Sequence, residues 1–120
     1  MTGRVDDDGR ALVRLTVKHP TSGASLECDG WVDTACTAEL VLTHAQIAAL
    51  GLQRSATVRA EIADGSTVVL ETYTCLIEWF GSVKQVEAVA NPGLFPLVGV
   101  GLLREHQLTV DYQAQTMSID

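Results

Sequence analysis

The residue with the clearest chemical potential in this 120-residue sequence is an aspartate in an unexpected place. In the segment Gly30-Trp31-Val32-Asp33-Thr34-Ala35, Asp33 directly follows an apolar strand and precedes small residues. A carboxylate in such a place must accept hydrogen bonds or share a proton, because burying an isolated charge is unfavourable. The simpler alternative is a turn in which the Asp33 side chain accepts a hydrogen bond from the backbone two residues on. The local pattern is compatible with both interpretations.

The cysteines and histidines form no comparable pattern. Cys28, Cys36 and His44 follow one another at intervals of eight, which matches none of the short pairings of zinc sites, so we expect no metal. A nucleophilic pair of Cys36 with His19, His44 or His106 has no local motif to support it. No glycine-rich loop opens a helix after a strand, so we expect no nucleotide. We expect no cofactor of any other kind either.

Composition excludes several classes of partner. Fifteen acidic residues against eight basic ones give a net charge of −7, which would repel a nucleic acid backbone. Apolar stretches are too short for a membrane span, and the acidic N-terminal residues do not look like a secretory signal. The three cysteines are an odd and sparse set, which is typical of free thiols in a reducing compartment. We therefore expect a cytoplasmic protein with neither a nucleic acid nor a membrane as partner.

The elements that would position Asp33 are mainly strands. Alternating apolar residues and turn-forming dipeptides predict eight or nine short strands, of which the clearest two form a hairpin over Ala11–Lys18 and Ser25–Asp33. The remaining strands are predicted at Glu39–Leu42, Val58–Ile62, Thr67–Trp79, Val83–Ala90, Leu108–Tyr112 and Thr116–Ile119, with a further apolar run at Leu94–Gly99. The dipeptide Asp64-Gly65 predicts a tight hairpin tip at Asp64, Gly65 and Ser66.

One short helix has clear start and stop signals. Thr43 and Gln46 have the spacing of a capping box, and Gly51 is suited to a left-handed stop. Ile47 and Leu50 would face the core. A second helical turn is predicted from Val100 to Glu105.

This content predicts an all-β protein that folds as a closed or nearly closed barrel with one or two short helices. The sequence contains no repeat and no linker, so residues 10–120 are expected to form a single domain. Residues 1–9, which are rich in aspartate, are expected to be a flexible N-terminal segment.

Two motifs in this order resemble those of the aspartic proteases. Trp31-Val32-Asp33-Thr34-Ala35 is similar to the family's two hydrophobic residues followed by Asp-Thr-Gly. Leu97-Val98-Gly99 followed by Val100–Leu103 is similar to its second motif, two apolar residues and a glycine before a short helix. With the hairpin at Asp64-Gly65 between them, residues 11–112 most resemble the short, single-lobe retropepsin-like proteases of bacteria and archaea. Ala35 departs from the motif, and a methyl group is sterically acceptable there if φ stays below zero.

The resemblance implies a fold and a set of residue roles. The fold would be the closed acid-protease-like barrel in a homodimer, because catalysis needs two carboxylates that share a proton and this chain offers only Asp33. Thr34 would hydrogen-bond across the two-fold axis, and Ala35 would donate its amide to Asp33. The hairpin tip, formed by Asp64, Gly65 and Ser66, would act as a flap. The residues that pack behind the catalytic loop would be Leu97, Val98 and Gly99. Terminal strands such as Thr116–Ile119 would extend across the dimer.

The implied activity is peptide-bond hydrolysis on an extended peptide or protein substrate, with apolar side chains preferred because the cleft walls would be aliphatic. Two alternatives remain. A dimer with this fold could bind peptides or regulate a partner without cleaving, or the chain could be an unrelated small barrel in which Asp33 is a turn residue.

Overall fold

A computed structural model describes residues 1–61 and 64–120; Ile62, which the sequence analysis placed at the end of a strand, lies outside the described residues. The described chain contains ten strands and two short helices. The strands are β1 (Thr2–Val5), β2 (Ala11–Lys18), β3 (Ser25–Val32), β4 (Leu40–Thr43), β5 (Arg54–Glu61), β6 (Thr67–Trp79), β7 (Ser82–Asn91), β8 (Leu97–Val98), β9 (Leu108–Asp111) and β10 (Thr116–Ile119). The helices are α1 (His44–Leu50) and α2 (Val100–Leu103).

Six of these strands close into a barrel. Hydrogen bonding runs in the order β6, β7, β4, β8, β3 and β2, and pairing of β2 with β6 at Val17 and Ile77 completes the circuit. Closure removes the edges that an open sheet would leave unpaired. Strand β5 extends the sheet beyond β6, and β1, β10 and β9 extend it beyond β2. The predicted all-β closed barrel with short helices is confirmed.

The first hairpin forms the clearest part of the core. Val13, Leu15 and Val17 alternate on one face of β2 and are almost completely buried, while Arg14 between them is exposed. Strand β3 pairs with β2 in the register Leu15 to Cys28, which brings its buried residues to the same face. Buried and exposed side chains therefore alternate along the strand as the apolar and polar residues of the sequence do.

Helix α1 begins and ends where its capping residues require. The Thr43 hydroxyl accepts from the Gln46 amide at 3.2 Å, and the Gln46 side chain accepts from the Thr43 amide at 3.0 Å. Gly51 ends the helix with a φ of 66°, in the left-handed region that glycine adopts readily. Ile47 and Leu50 are buried, which anchors the helix on the barrel.

The two-residue strand β8 is the element that organises the loop after β3. It runs parallel to β3, with Trp31 opposite Leu97, and antiparallel to β4, with Leu40 opposite Val98. The chain leaves β3, forms the loop 33–39 and returns as β4, and β8 fills the slot between those two strands. A strand from late in the sequence thus holds the loop that contains Asp33.

The N-terminal segment differs from its expected form. The sequence analysis expected residues 1–9 to be flexible, but Thr2–Val5 forms β1 and pairs with both β10 and β2. The Met1 ammonium also donates to the carbonyl of Ile119 at 2.7 Å. Four residues give too short a pattern to recognise as a strand, and the two strands that β1 joins are distant in sequence.

The position of Thr116–Ile119 also differs from the prediction, because of β1. That segment was expected to extend across a dimer, but β10 lies between β1 and β9 of its own chain, so its neighbours on both sides are already present. The physical reason is that β1, which was not predicted, pairs with the edge of β10 that β9 leaves free.

In the described ranges, 1–61 and 64–120, no helix combines the length and apolar character needed to cross a membrane.

Candidate active site

Asp33 lies at the point where β3 ends and the loop 33–39 begins. Its amide donates to the carbonyl of Val98 at 2.9 Å, and its carbonyl accepts from the amide of Cys36 at 3.1 Å. The side chain is half-buried and lines a groove together with Trp31 and Leu97. The backbone is therefore fixed on both sides, while the carboxylate reaches a space that a ligand can enter.

The carboxylate is oriented by the residue where the resemblance departs from its motif. The Ala35 amide donates to Asp33 Oδ1 at 2.9 Å, a bond that both the catalytic and the turn interpretation of Asp33 require. The described non-glycine residues with positive φ are Phe80, Glu105 and Gln115, so Ala35 needs no left-handed backbone. Ala35 is also exposed. Its methyl group therefore fits the loop without backbone strain.

Two glycines allow α2 to pack directly against the loop. A Cβ at Gly99 would lie 2.0 Å from the carbonyl oxygen of Ala38, and one at Gly101 would lie 2.9 Å from the amide of Glu39. This close approach permits backbone bonds from Val100 to Cys36 at 2.7 Å and from Gly101 to Ala38 at 3.1 Å. The loop is thus supported from behind by the backbone itself.

The residues that were expected to pack behind the loop do not all do so. Val98 is fully buried and Gly99 contacts the loop, as residues behind it should. Leu97 is half-buried and instead lines the groove beside Asp33. Thr34 is exposed at the surface of the loop.

The neighbouring thiol is poorly suited to be a nucleophile. Burial raises the pKa of Cys36, and the negative charge of Asp33 acts in the same direction. Cysteine attacks as the thiolate, so a raised pKa lowers its reactivity near neutral pH.

The hairpin of β5 and β6 covers the loop with an apolar face. Val58 pairs with Leu70 and Ala60 with Val68, so these four side chains point to one side, and the opposite side carries mainly polar residues. The apolar face borders a cavity of about 550 Å³ whose other walls include Ala35–Ala38 and Val89.

The predicted flap tip forms a tight turn. Asp64 Oδ1 accepts from the amide and the hydroxyl of Ser66, at 2.8 and 2.6 Å, and Gly65 has a φ of 84°. These bonds lower the pKa of Asp64, the hydroxyl contributing most. In the described structure the strands of the hairpin, rather than its tip, border the cavity beside the loop.

The groove that Asp33 itself lines is aromatic. Its volume is about 370 Å³, and its walls include Trp31, Leu94, Phe95 and Leu97. Trp31 and Phe95 meet edge to face, with ring centroids 6.0 Å apart. The sequence predicts aliphatic walls for a cleft beside Asp33, whereas the walls of this groove are partly aromatic, because the loop before β8 folds Phe95 against Trp31.

Within residues 1–61 and 64–120, no group of three or more His, Cys, Asp or Glu side chains is arranged to hold a metal ion.

The chain is similar in structure to known proteases and protease-like domains. No protein-family model and no curated protein matches the chain. EIAV protease complexed with the inhibitor HBY-793 is similar with a TM-score of 0.58 and 17% identity, over 83% of this chain and 90% of that one. The retroviral protease-like domain of Ddi1 from Leishmania major is similar with a TM-score of 0.50 and 12% identity, over 91% of this chain and 88% of that one. The chain has a retropepsin-like fold. At 17% and 12% identity, these similarities establish the fold alone.

The sequence analysis missed several residues of these grooves. Phe95 follows the turn Asn91-Pro92-Gly93, and an aromatic residue after such a turn is a weak signal for an exposed binding loop. Arg10, which contacts Phe95, carries no signal at all, because it was assigned to the boundary of the flexible segment. The face formed by Val58, Ala60, Val68 and Leu70 was detectable only as strand alternation.

Proposed function

We propose that this protein is an aspartic endopeptidase that acts as a homodimer, in which the Asp33 carboxylates of two copies activate one water molecule. The observation that carries the proposal is the fixed position of Asp33: its backbone is bonded to β8, its Oδ1 to Ala35, and its side chain borders a groove in a retropepsin-like fold. A turn aspartate needs the Ala35 bond but has no need of an adjoining groove.

The proposed reaction divides two roles between two carboxylates. The charged carboxylate removes a proton from water, which attacks the peptide carbonyl, and the protonated carboxylate donates a hydrogen bond to the carbonyl oxygen. The tetrahedral intermediate then collapses: the C–N bond breaks, and the carboxyl group that took the proton from water passes it to the leaving amine. The close approach of like charges keeps one proton bound at a pH where a single aspartate would lose it. Each Asp33 would take one role.

A second copy is needed because one chain supplies one suitable acid. Asp33 is the only acidic residue that lines the aromatic groove among the described residues. Under this proposal a two-fold axis next to the loop 33–39 brings the two carboxylates together, and the exposed Thr34 lies where it would contact its partner's loop.

The two surfaces beside Asp33 fit an extended peptide. Successive side chains of an extended chain point to opposite sides, and two separate spaces border the loop: the groove that includes Asp33 and the cavity under the hairpin that includes Ala35–Ala38. The apolar hairpin face would exclude water from the bound peptide, which strengthens the electrostatic interactions of the carboxylates. The tip Asp64-Gly65-Ser66 would close over the peptide.

The test combines cleavage with mixing of subunits. We expect the wild-type protein to cleave an unfolded protein substrate in mildly acidic buffer, and Asp33→Asn to remain folded and dimeric in sedimentation without cleaving. Because each site needs two carboxylates, an excess of Asp33→Asn should suppress wild-type cleavage through inactive mixed dimers. Asp29→Asn is the matched control, since Asp29 lies on β3, the strand that leads to Asp33, and pairs with Arg4 and Arg14 instead.

Two results would contradict the proposal. A wild-type protein that is monomeric at every concentration, or cleavage that survives in Asp33→Asn, excludes the shared site. A dimer that binds peptides equally well in both forms and cleaves none would support the alternative of a peptide-binding module that does not catalyse hydrolysis.

A further inference from the structure

We propose that a polar pocket at the end of the barrel opposite to Asp33 binds the phosphoryl group of a small molecule, with Arg54 and His19 as its main contacts. The pocket, called the His19 pocket below, has a volume of about 370 Å³, and its lining includes His19, Thr21, Gln53, Arg54, Ser55 and Thr74. None of these residues lines the groove or the cavity beside the loop 33–39. The site is therefore independent of the proposed peptidase activity.

The His19 pocket is separated from the candidate active site by the length of β3. His19 follows β2, and the turn after it leads to Ser25, where β3 begins. Strand β3 has eight residues and ends directly before Asp33. At about 3.3 Å per residue, its two ends are roughly 25 Å apart. This separation also excludes His19 as a partner for Cys36, whose amide donates to the carbonyl of Asp33.

The turn after β2 fixes the ring of His19. The Nδ1 atom accepts hydrogen bonds from the amides of Thr21 and Ser22, at 3.1 and 3.0 Å. In a neutral imidazole, a ring nitrogen that accepts hydrogen bonds carries no proton, so the proton lies on Nε2. The two amide bonds thus orient the ring and leave Nε2–H as the donor that His19 offers to a ligand in the pocket.

Arg54 supplies the positive charge of the His19 pocket. Its ion pair with Glu71 is long, at 3.4 Å, and uses one terminal nitrogen of the guanidinium. The Glu71 carboxylate also accepts a 2.8 Å hydrogen bond from the hydroxyl of Tyr73. The other guanidinium donors can bind two oxygens of one phosphoryl group side by side, which is the arrangement that arginine forms best.

The other contacts of the His19 pocket are compatible with an anion. No acidic side chain lines the pocket among the residues that the structure describes. The carboxylate of Glu87 accepts from the hydroxyls of Ser55 and Thr74, at 2.8 and 2.6 Å, and these bonds partly compensate its charge. The hydroxyl of Thr21 and the side-chain amide of Gln53 add uncharged donors to the lining.

The donor set fits a phosphoryl group better than a carboxylate. A phosphoryl group has three terminal oxygens that accept from different directions, whereas the two oxygens of a carboxylate lie in one plane. The donors of the pocket come from two separate segments, the turn after β2 and the start of β5. A volume of about 370 Å³ is at the small end of ligand pockets, which suits a small phosphomonoester.

The experiment follows backbone amide chemical shifts by NMR during titration with inorganic phosphate, glycerol 3-phosphate or acetate. The ionic strength is held constant at about pH 8, where the phosphoryl groups carry close to two charges. We expect saturable shifts at Thr21 and Ser22, whose amides bond to His19, with a Kd of about 1 mM or lower for both phosphate compounds. Acetate should bind at least tenfold more weakly, because it has one charge and fewer acceptor oxygens. The net charge of −7 disfavours non-specific binding of anions, so saturation would indicate a local site.

Three variants test the contacts, each after its cooperative unfolding has been verified. Arg54→Met keeps an unbranched apolar side chain without the guanidinium and should raise the Kd for phosphate at least tenfold. His19→Asn keeps an acceptor for the amides of the turn but removes the Nε2 donor, and should raise the Kd about 2- to 10-fold. Lys84→Met, the matched control, removes an exposed positive charge on β7 outside the pocket and should change the Kd less than about twofold.

The outcomes separate this site from the peptidase proposal. The absence of saturable shifts up to about 20 mM phosphate, an unchanged Kd in Arg54→Met, or an equal loss in Lys84→Met would overturn the phosphate site. An unchanged Kd in His19→Asn would exclude His19 as a contact, and acetate that binds as tightly as phosphate would exclude a phosphoryl group as the preferred ligand. Asp33→Asn should bind phosphate with wild-type affinity, so that a failure of the peptidase proposal leaves this result unchanged.

Discussion

The amide of Asp33 donates a 2.9 Å hydrogen bond to the carbonyl of Val98, so the position of the candidate catalytic acid depends on β8, a strand from late in the sequence. Val98 is fully buried between Val32 and Leu40, its partners on either side. Any change that displaces β8 or α2 should therefore disturb Asp33 as well as the core.

Gly99→Ala should destabilise the protein severely. The new Cβ would lie 2.0 Å from the carbonyl oxygen of Ala38, a backbone atom that cannot move aside without displacing the loop. We expect the free energy of unfolding, measured in urea, to fall by about 3 kcal/mol or more. Gly93→Ala is the control, since its nearest neighbour is the side-chain oxygen of Asn91 at 3.2 Å. Equal stability of the two variants would mean that α2 does not pack on the loop as described.

Ala35→Gly should lower stability slightly even though it restores the residue usual in the motif. Ala35 has no positive φ, so glycine relieves no strain and only adds freedom to the unfolded chain. We expect a loss of about 0.4–1 kcal/mol in chemical denaturation. A gain in stability would show that the methyl group strains the loop, and would make Ala35 a reason for weak catalysis.

Thr43→Ala should remove the cap of α1. The hydroxyl of Thr43 accepts from the Gln46 amide, and the reciprocal bond from the Gln46 side chain depends on the same geometry. We expect a loss of about 1 kcal/mol in the free energy of unfolding. Thr21→Ala, at an exposed turn, should stay within about 0.5 kcal/mol of the wild type. A loss of equal size in both would contradict a specific capping effect.

Stability should fall in alkaline solution because two buried thiols resist ionisation. Burial raises the pKa of Cys28 to about 11 and that of Cys75 to about 12, from a usual value of 9.0. Above pH 9 the unfolded chain loses these protons and the folded chain keeps them, so the free energy of unfolding decreases as the pH rises. Each thiol contributes a slope of at most about 1.4 kcal/mol per pH unit.

Denaturation curves at pH 8.0 and pH 10.5 measure this slope. Cys75→Ala should lose less stability between the two values than the wild type, apart from the constant loss due to its cavity. Val86→Ala removes a buried side chain that pairs with Cys75 but carries no thiol, so it should keep the wild-type slope. Identical slopes in all three proteins would exclude Cys75 as a source of the alkaline instability.

Much of the fold could be predicted from the sequence because local patterns encode it. The alternation in Ala11–Lys18 and Thr67–Trp79 gave the bounds of β2 and β6, and the capping residues of α1 defined its ends. Asp64-Gly65 specified a turn because glycine adopts a φ of 84° without strain. In each case the required information lies within a few neighbouring residues.

The candidate site could be predicted only in part. Asp33 was recognisable because a carboxylate after an apolar strand is unusual, and the hydrogen bond from Ala35 is local. The groove beside it was not recognisable, because Trp31, Phe95 and Arg10 come from three separate segments. Strand β1 was missed for the same reason, since its two partners are distant in the chain.

The sequence alone therefore determined most of the strands, the main turns, and which aspartate stands out chemically. Only the tertiary structure decided that β8 lies between β3 and β4, that Leu97 faces the groove, and that Arg10 supports Phe95. The physical reason is that the alternation of apolar residues and the preferences of turn residues involve only a few neighbouring positions. These contacts instead depend on strands that are distant in sequence and meet when the barrel closes. These contacts are determined by the packing of the whole chain, and no short sequence pattern predicts them.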